Sequence, residues 1–361
     1  MSNKPQSEKS LEEINQELYE QGMTDGLAVI PPTEERVKEM LRGTDSDPDK
    51  MLGRLGNNEN SVTVQQLASN AVMAGCVPPY MPVLEAGVKA LADSHSNSIQ
   101  SSVSTGSWAY HWLVNGPVRE SLGIQSGTNA YGPYFRANRS IARALGMAYR
   151  NTARIHPGEK DMGVMGNPGK FSMLAAENEE ASPWEPYHVT HGFDEDDSTI
   201  TFSAPNGWLQ WIPESNTAEQ ILRGMIKNTP NSMGAQSDED LNRTIFHAFN
   251  PYNAEEVEKS GLQKREMKEY LVNNSYIEAS SSEGLSASRE EGPVVEPFQE
   301  RQYANTEAVK IATIGGPGRW NVIIGTSIGG PVTKKIEFPS GWDGLVEEYS
   351  ANLEWYENAR Y

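Results

Sequence analysis

Residues 63–91, TVQQLASNAVMAGCVPPYMPVLEAGVKAL, carry the clearest local structural instructions in the chain. Thr63 followed by Gln66 is a capping-box pair, and Val64, Leu67, Ala68, Ala71 and Val72 recur along one helical face. Gly75 is a stop signal. Pro78 and Pro79 open a second helix, in which Leu84, Gly87, Val88 and Leu91 form the buried stripe. Cys76 lies in the junction between the two.

Toward the N-terminus, DGLAVIPPT (25–33) reads as a short strand stopped by Pro31 and Pro32, after which Thr33 caps a helix with Val37, Met40 and Leu41 inside. Residues 1–20 form a polar arm with a short helical pattern from Leu11 to Tyr19. Toward the C-terminus, residues 94–134 are rich in Ser, Gly, Asn and aromatics, which predicts strands joined by turns. A third helix is predicted over Arg136–Arg150, with Ile141, Ala144, Leu145 and Ala148 inward. Ser198–Ser203 alternates like a strand, Ala218–Leu271 reads mainly helical, and two buried strands at Ala308–Ile314 and Asn321–Thr326 flank GGPGR. A closing amphipathic helix carries Leu345, Val346, Tyr349 and Leu353. The pattern predicts an α/β protein, with mixed α+β as its variant, built as one large domain or two closely packed lobes. Its parts are the arm 1–20, a main region 21–215 carrying the candidate site, and a mainly helical region 216–300 with a mobile loop at 279–297. A C-terminal strand-loop-strand-helix unit, 301–361, completes the core. No internal repeat is visible.

At 361 residues the chain can bury a substantial core, and its formal charge of −19 argues against nucleic acid and anionic membranes as partners. No stretch approaches the roughly 20 apolar residues that span a bilayer, and the N-terminus lacks a secretory apolar core, so a cytoplasmic location is expected. The single cysteine, Cys76, excludes an internal disulfide.

The densest candidate site is AAENEEASPWEPYHVT (175–190). Glu177, Glu179, Glu180 and Glu185 repel one another unless a cation faces them, and Pro183 and Pro186 stiffen the segment. The partner is a substrate, a metal or an arginine cluster elsewhere. His188 beside Glu179 or Glu180 suits general acid–base work. The alternative takes His188, His191 and Glu177 as ligands to a divalent metal; otherwise no cofactor is expected. Cys76, just before a helix N-terminus, is a candidate thiolate, or else a small buried hydrophobe. The stripe Arg136, Arg139 and Arg143 suits an anionic ligand, or else a solvated helix face; Arg136 sits at the helix entrance beside aromatics. Gly315–Gly318 lacks the Lys-Ser/Thr of a P-loop and reads as a tight turn.

Four segments taken together, DGLAVIPPTEERV, NAVMAGCVPPYMPV, VNGPVRESLGIQSGTNAYGPYFRANRSIARAL and NPGKFSMLAAENEEASPWEPYHV, resemble a bacterial family whose members accompany, or are fused to, the small selenocysteine or cysteine domain with a U-G-S-C motif. The resemblance covers most of residues 20–205, with a looser echo at IATIGGPGRWNVIIG, and is to the larger, non-selenocysteine part. Matching positions in the first half are Asn70, Gly75, Cys76, Asn115, Gly116, Arg136 and Asn138; in the second they are Lys170, Glu177, Asn178, Glu179, Glu180, Trp184 and His188. The chain has no U-G-S-C or C-G-S-C segment, and Arg319-Trp320-Asn321 replaces a Lys-His-Ser type sequence. The resemblance implies thiol-linked redox or bond-cleaving chemistry, with any selenol or thiol partner supplied as a separate chain.

The expectation is therefore an enzyme, or the large subunit of one, acting on a small anionic organic molecule by thiol-linked lyase or reductase chemistry. Cys76, His188, Glu179, Glu180 and Lys170 would be catalytic, with Lys170 steadying negative charge. Arg136, Asn138, Asn115, Asn178 and Trp184 would bind substrate. The alternatives are a metal-dependent hydrolase or hydratase and a non-catalytic binding or scaffold subunit; assembly as a homo-oligomer fits each.

Overall fold

A computed structural model describes residues 9–55, 60–229, 244–279, 298–301, 303 and 305–350. The helices are α1 (Leu11–Glu20), α2 (Glu34–Met40), α3 (Val64–Ala74), α4 (Met81–Ala92), α5 (Ser98–Val103), α6 (Val118–Ser121), α7 (Arg136–Ala153), α8 (Ala218–Asn228), α9 (Pro251–Glu258), α10 (Lys264–Asn274) and α11 (Trp342–Glu348). The strands are β1 (Met51–Leu55), β2 (Asn60–Thr63), β3 (His111–Asn115), β4 (Met173–Ala176), β5 (Thr199–Ser203), β6 (Trp208–Trp211), β7 (Thr244–Phe249), β8 (Tyr276–Ala279), β9 (Phe298–Arg301), β10 (Val309–Thr313), β11 (Asn321–Ser327) and β12 (Val332–Lys335).

The local signals at 63–91 act as their chemistry requires. Thr63 Oγ1 accepts the Gln66 N–H at 3.2 Å, Gln66 Oε1 accepts the Thr63 N–H at 2.9 Å, and Gly75 ends α3 with φ +84°. The protein is of the α/β class, with two mixed four-stranded sheets in the orders β12-β5-β3-β4 and β10-β7-β11-β6. β1–β2 and β8–β9 form separate antiparallel pairs.

Period-two alternation assigns the sheet faces. Trp112, Val114, Leu174, Ala176, Ile200 and Phe202 join the core under α3, α4 and α7. Their neighbours Leu113, Met173 and Ala175 share a second core with Phe246, Ala248, Ala312 and Ile324, so the two sheets pack against each other. Ile245, Phe249, Val309, Ile311 and Ile323 face away from that seam into a third core with residues of α8, α9 and α10. The layers run helix, sheet, sheet, helix. β3, β4, β5, β7 and β10 are buried along their whole length, as covering both faces demands.

The chain does not finish the first sheet before starting the second. After β11 it returns, so that β12 pairs with β5 and Trp342 of α11 donates its indole N–H to the Pro79 carbonyl at 3.0 Å. Residues 25–33 form no strand; they are extended, with the Val29 N–H on Asn15 Oδ1 at 2.7 Å and the Ile30 N–H on the Met73 carbonyl at 3.2 Å. Residues 94–134 hold short helices α5 and α6 around one strand, and the region 216–300 contains the central strand β7 as well as helices. Most of the loop at 279–297, and Leu353 of the closing helix, lie outside the described residues. Among the described residues no helix is long and apolar enough to cross a membrane.

Candidate functional site

β3 and β4 are parallel, so their C-terminal ends lie side by side and bring Asn115 and Gly116 next to Glu177. Gly116 has φ +83°, and a Cβ there would stand 2.1 Å from the Asp197 carbonyl oxygen, so only glycine fits the turn into α6. β4 and β10 are each the edge of a sheet, and the acidic segment runs across both. Its Asn178 donates its backbone N–H to the Thr313 carbonyl at 2.7 Å and its side-chain amide to the Gly315 carbonyl at 3.1 Å.

Glu177 is fully buried. Its Oε2 accepts from the Asn115 amide at 2.6 Å and the Tyr187 N–H at 2.5 Å; its Oε1 accepts from Lys264 Nζ at 3.1 Å and the Thr313 N–H at 3.3 Å. Arg119, also buried, grips Glu180 through both Nη atoms at 2.8 and 3.1 Å and Glu179 Oε2 at 2.9 Å. Its remaining donors hold the Gly116 and Glu177 carbonyls. Hydrogen bonding from Arg119 holds the Glu180 carboxyl below its usual range. Glu179 Oε1 takes the Asn115 amide and the Gly116 N–H, both at 2.8 Å. The partners of the acidic loop are therefore Arg119 and Lys264, neither of which belongs to the predicted arginine stripe.

That stripe is committed to carbonyls and to Asp25 within the protein. Arg136 donates to the Gly75 carbonyl at 3.1–3.2 Å, and Arg139 to the carbonyls of Ala130, Tyr131, Ser172 and Leu174. Arg143 pairs with Asp25 at 2.7 Å. Asn138, fully buried, accepts the Gln125 N–H and donates to three carbonyls, which makes it a cross-link of loops and leaves nothing for substrate. Trp184 donates its indole N–H to the Leu262 carbonyl at 3.2 Å and packs edge-on against Phe249. Lys170 is paired with Asp161 at 2.5 Å.

Cys76 lies in the helix-side core of the first sheet, and among the described residues no hydrogen bond or ion pair joins it to His188 or the glutamates. Burial pushes its thiol up to about 12, against smaller opposing effects from Ser140, Arg136 and Arg143. That burial disfavours the expected thiolate, because desolvation opposes the helix terminus. The metal triad does not assemble either. Glu177 has four donors on its two oxygens, His188 Nε2 faces the Glu195 carbonyl at 3.3 Å, and His191 Nε2 faces the Lys310 ammonium at 3.5 Å. His188 and Glu179 do come together, but at 4.0 Å, beyond hydrogen-bond reach, and His188 Nδ1 is buried with no hydrogen-bond partner.

A second cluster adjoins the first. Lys310 is buried on β10, with Nζ 3.3 Å from Glu307 Oε2 and 3.5 Å from His191 Nε2. The His191 ring stacks on Tyr187 with centroids 4.1 Å apart, and its Nδ1 donates to the Tyr187 carbonyl at 2.7 Å, leaving a lone pair on Nε2. Burial, assisted by the Lys310 and Lys268 charges, takes His191 down to about 4. Lys268, one turn after Lys264 on α10, is lowered by burial and then by the charge of Lys310; Lys310 is lowered by burial against the pull of Glu307. The buried Tyr187 hydroxyl has no hydrogen-bond partner.

Sequence reasoning missed Arg119, Lys264, Lys268 and Lys310. Two signals existed: Lys264 occupies the first position of a helix, where the dipole disfavours a cation, and Lys310 interrupts an apolar strand, VKIAT. A surface cleft of about 330 Å³, lined by Thr44, Glu85, Lys89 and Phe338 among others, holds none of the predicted site residues. Comparison with family models, curated proteins and solved structures finds no match to the chain.

Proposed function

We propose that the chain is an enzyme acting on a small anionic organic molecule, bound at the cluster of Lys268, Lys310 and His191. The observation that carries this reading is the buried Lys310, its Nζ 3.5 Å from the His191 ring, together with Lys268, which burial and the Lys310 charge lower, in a chain of charge −19. Like charges partly withdrawn from water cost stability, and a bound anion offsets that cost. Glu307 is the single carboxylate bonded to Lys310, and among the described residues no ion pair or hydrogen bond is recorded for Lys268. Bond-cleaving chemistry is the part of the family-based expectation that this cluster supports. Thiol or selenol chemistry would need a separate chain, because Cys76 is buried and desolvation raises its thiol pKa.

Calorimetric titration with pyruvate, glyoxylate and inorganic phosphate tests the reading. Saturable binding of at least one anion, weakened at least tenfold by Lys268→Met and by raised salt, is expected. Binding that is equal in Lys268→Met, or absent for all three probes, overturns it.

A further inference from the structure

We infer that the cleft between α4 and residues 43–47 binds a small aliphatic diamine, with one ammonium on Glu85 and the second on Asp47 at the mouth. This site goes beyond the anion site proposed above and is separate from it: Lys268, Lys310 and His191 do not line the cleft.

The cleft has a volume of about 330 Å³, within the range of small-ligand sites. Among its charged lining residues Glu85, on α4, is the buried one, at 7% exposed. Gly43 shapes the facing wall: a Cβ there would stand 1.9 Å from the Pro78 carbonyl oxygen, so only glycine lets the chain pass this close to the start of α4. The Thr44 hydroxyl then donates to Glu85 Oε1 and the Ser46 hydroxyl to Oε2 at 3.2 Å, which leaves acceptor capacity on both carboxylate oxygens. Across the opening, the Ser340 N–H donates to Asp45 Oδ2 at 2.9 Å and joins the two lips. Phe338, packed on Trp342 with ring centroids 4.3 Å apart and still 40% exposed, adds an aromatic wall.

The partners of Glu85 point to a cation. Two acids are buried among the described residues: Glu177 is bonded to the Lys264 ammonium at 3.1 Å, whereas no ion pair involves Glu85. Lys89 stands four residues on along α4, the spacing that suits such a pair, yet it reaches Glu337 instead, at 3.3 Å. Lys50 donates to Ser46 Oγ at 3.2 Å. A buried carboxylate without a counter-ion is costly, and hydroxyl donors leave its charge in place. Asp45, Asp47, Glu85 and Glu337 line the cleft against Lys50 and Lys89, an excess of negative charge that a diamine cancels and a monoamine does not. Pro82, Ala86 and Phe338 offer apolar contact to an aliphatic chain, which a hydrated metal ion cannot use, and an aromatic ring favours an ammonium.

The test is calorimetric titration of the full chain with putrescine, butylamine and magnesium chloride. Saturable one-site binding of putrescine is expected, about threefold tighter than that of butylamine, as one exposed ion pair supplies. Glu85→Gln should weaken both amines at least tenfold, since it removes the buried charge. Asp47→Asn guards against misfolding of that variant: it changes an exposed side chain, should keep the wild-type unfolding curve, and should erase the preference for putrescine while leaving butylamine affinity unchanged. Absent putrescine binding, equal affinity in wild type and Glu85→Gln, a preference that survives Asp47→Asn, or magnesium bound more tightly than putrescine overturns the inference. Lys268→Met separates the two sites: it should weaken anion binding and leave putrescine binding unchanged, so either site can fall without the other.

Discussion

The two charge clusters that share Tyr187 differ in sign balance and in satisfaction. In the seam, the carboxylates of Glu177, Glu179 and Glu180 meet Arg119 and Lys264, and each carboxylate is held by at least two donors at 3.3 Å or less. In the second cluster, the Lys310 charge adds to burial in lowering Lys268, and Glu307 is the carboxylate bonded to Lys310. A saturated buried network joins parts of a fold, whereas an unsatisfied one marks where a ligand is awaited. The segment that looks most like a site in the sequence is mainly a joint between sheets, and the lysine cluster proposed as the anion site lies at its rim.

Removing a charge from each cluster should therefore have opposite effects on stability. Glu177→Gln leaves the buried Lys264 ammonium unpaired and turns two acceptor contacts into donor clashes, so a loss of about 3–5 kcal/mol in urea unfolding is expected. A loss below about 1 kcal/mol would show that the seam is not a joint.

Acidification should act through three other groups. Burial holds His111 and His247 down to about 3 and His191 to about 4, from an ordinary 6.5. His111 is enclosed by Ser203, Tyr131 and Phe246, His247 by Tyr303, and His191 by Tyr187, Lys268, Lys310 and Glu307. Between pH 6.5 and 4 the unfolded chain binds protons that the folded chain refuses, so stability is full above 6.5 and falls with pH, by about 1.4 kcal/mol per unit for each histidine. A flat stability profile over that window would contradict the buried, neutral state of all three.

The smallest effect should have the opposite sign. Lys268→Met relieves the repulsion from Lys310 and should raise stability by up to about 1 kcal/mol while weakening anion binding. If the variant is destabilised by that amount in thermal unfolding, Lys268 is a structural partner and the contrast between the clusters collapses.

The parts of the fold that were readable are those fixed within a few residues. The Thr63–Gln66 box, the Gly75 stop, α7 and the strands β5, β10 and β11 stand where local pattern put them. β7, TIFHAF, was hidden because burial on both faces erases the alternation that identifies a strand. In the site, the acidic segment and its need for cations were legible, as was the approach of His188 to Glu179. The cations themselves were not, since Arg119 meets Glu180 across 61 residues and Lys264 meets Glu177 across 87. Cys76 shows the same limit: the helix start after it is visible in sequence, but burial of the thiol is a property of packing.

By itself, then, the sequence determined the capped helix α3, the start of α7, the α/β class and the presence of uncompensated acid between residues 177 and 185, because caps, periodicity and charge are local. Which cations neutralise that acid, which strands lie back to back, and which two lysines are left in conflict were decided only in the tertiary structure. Burial and long-range pairing depend on segments far apart in the chain, so they are set by packing and not by local pattern.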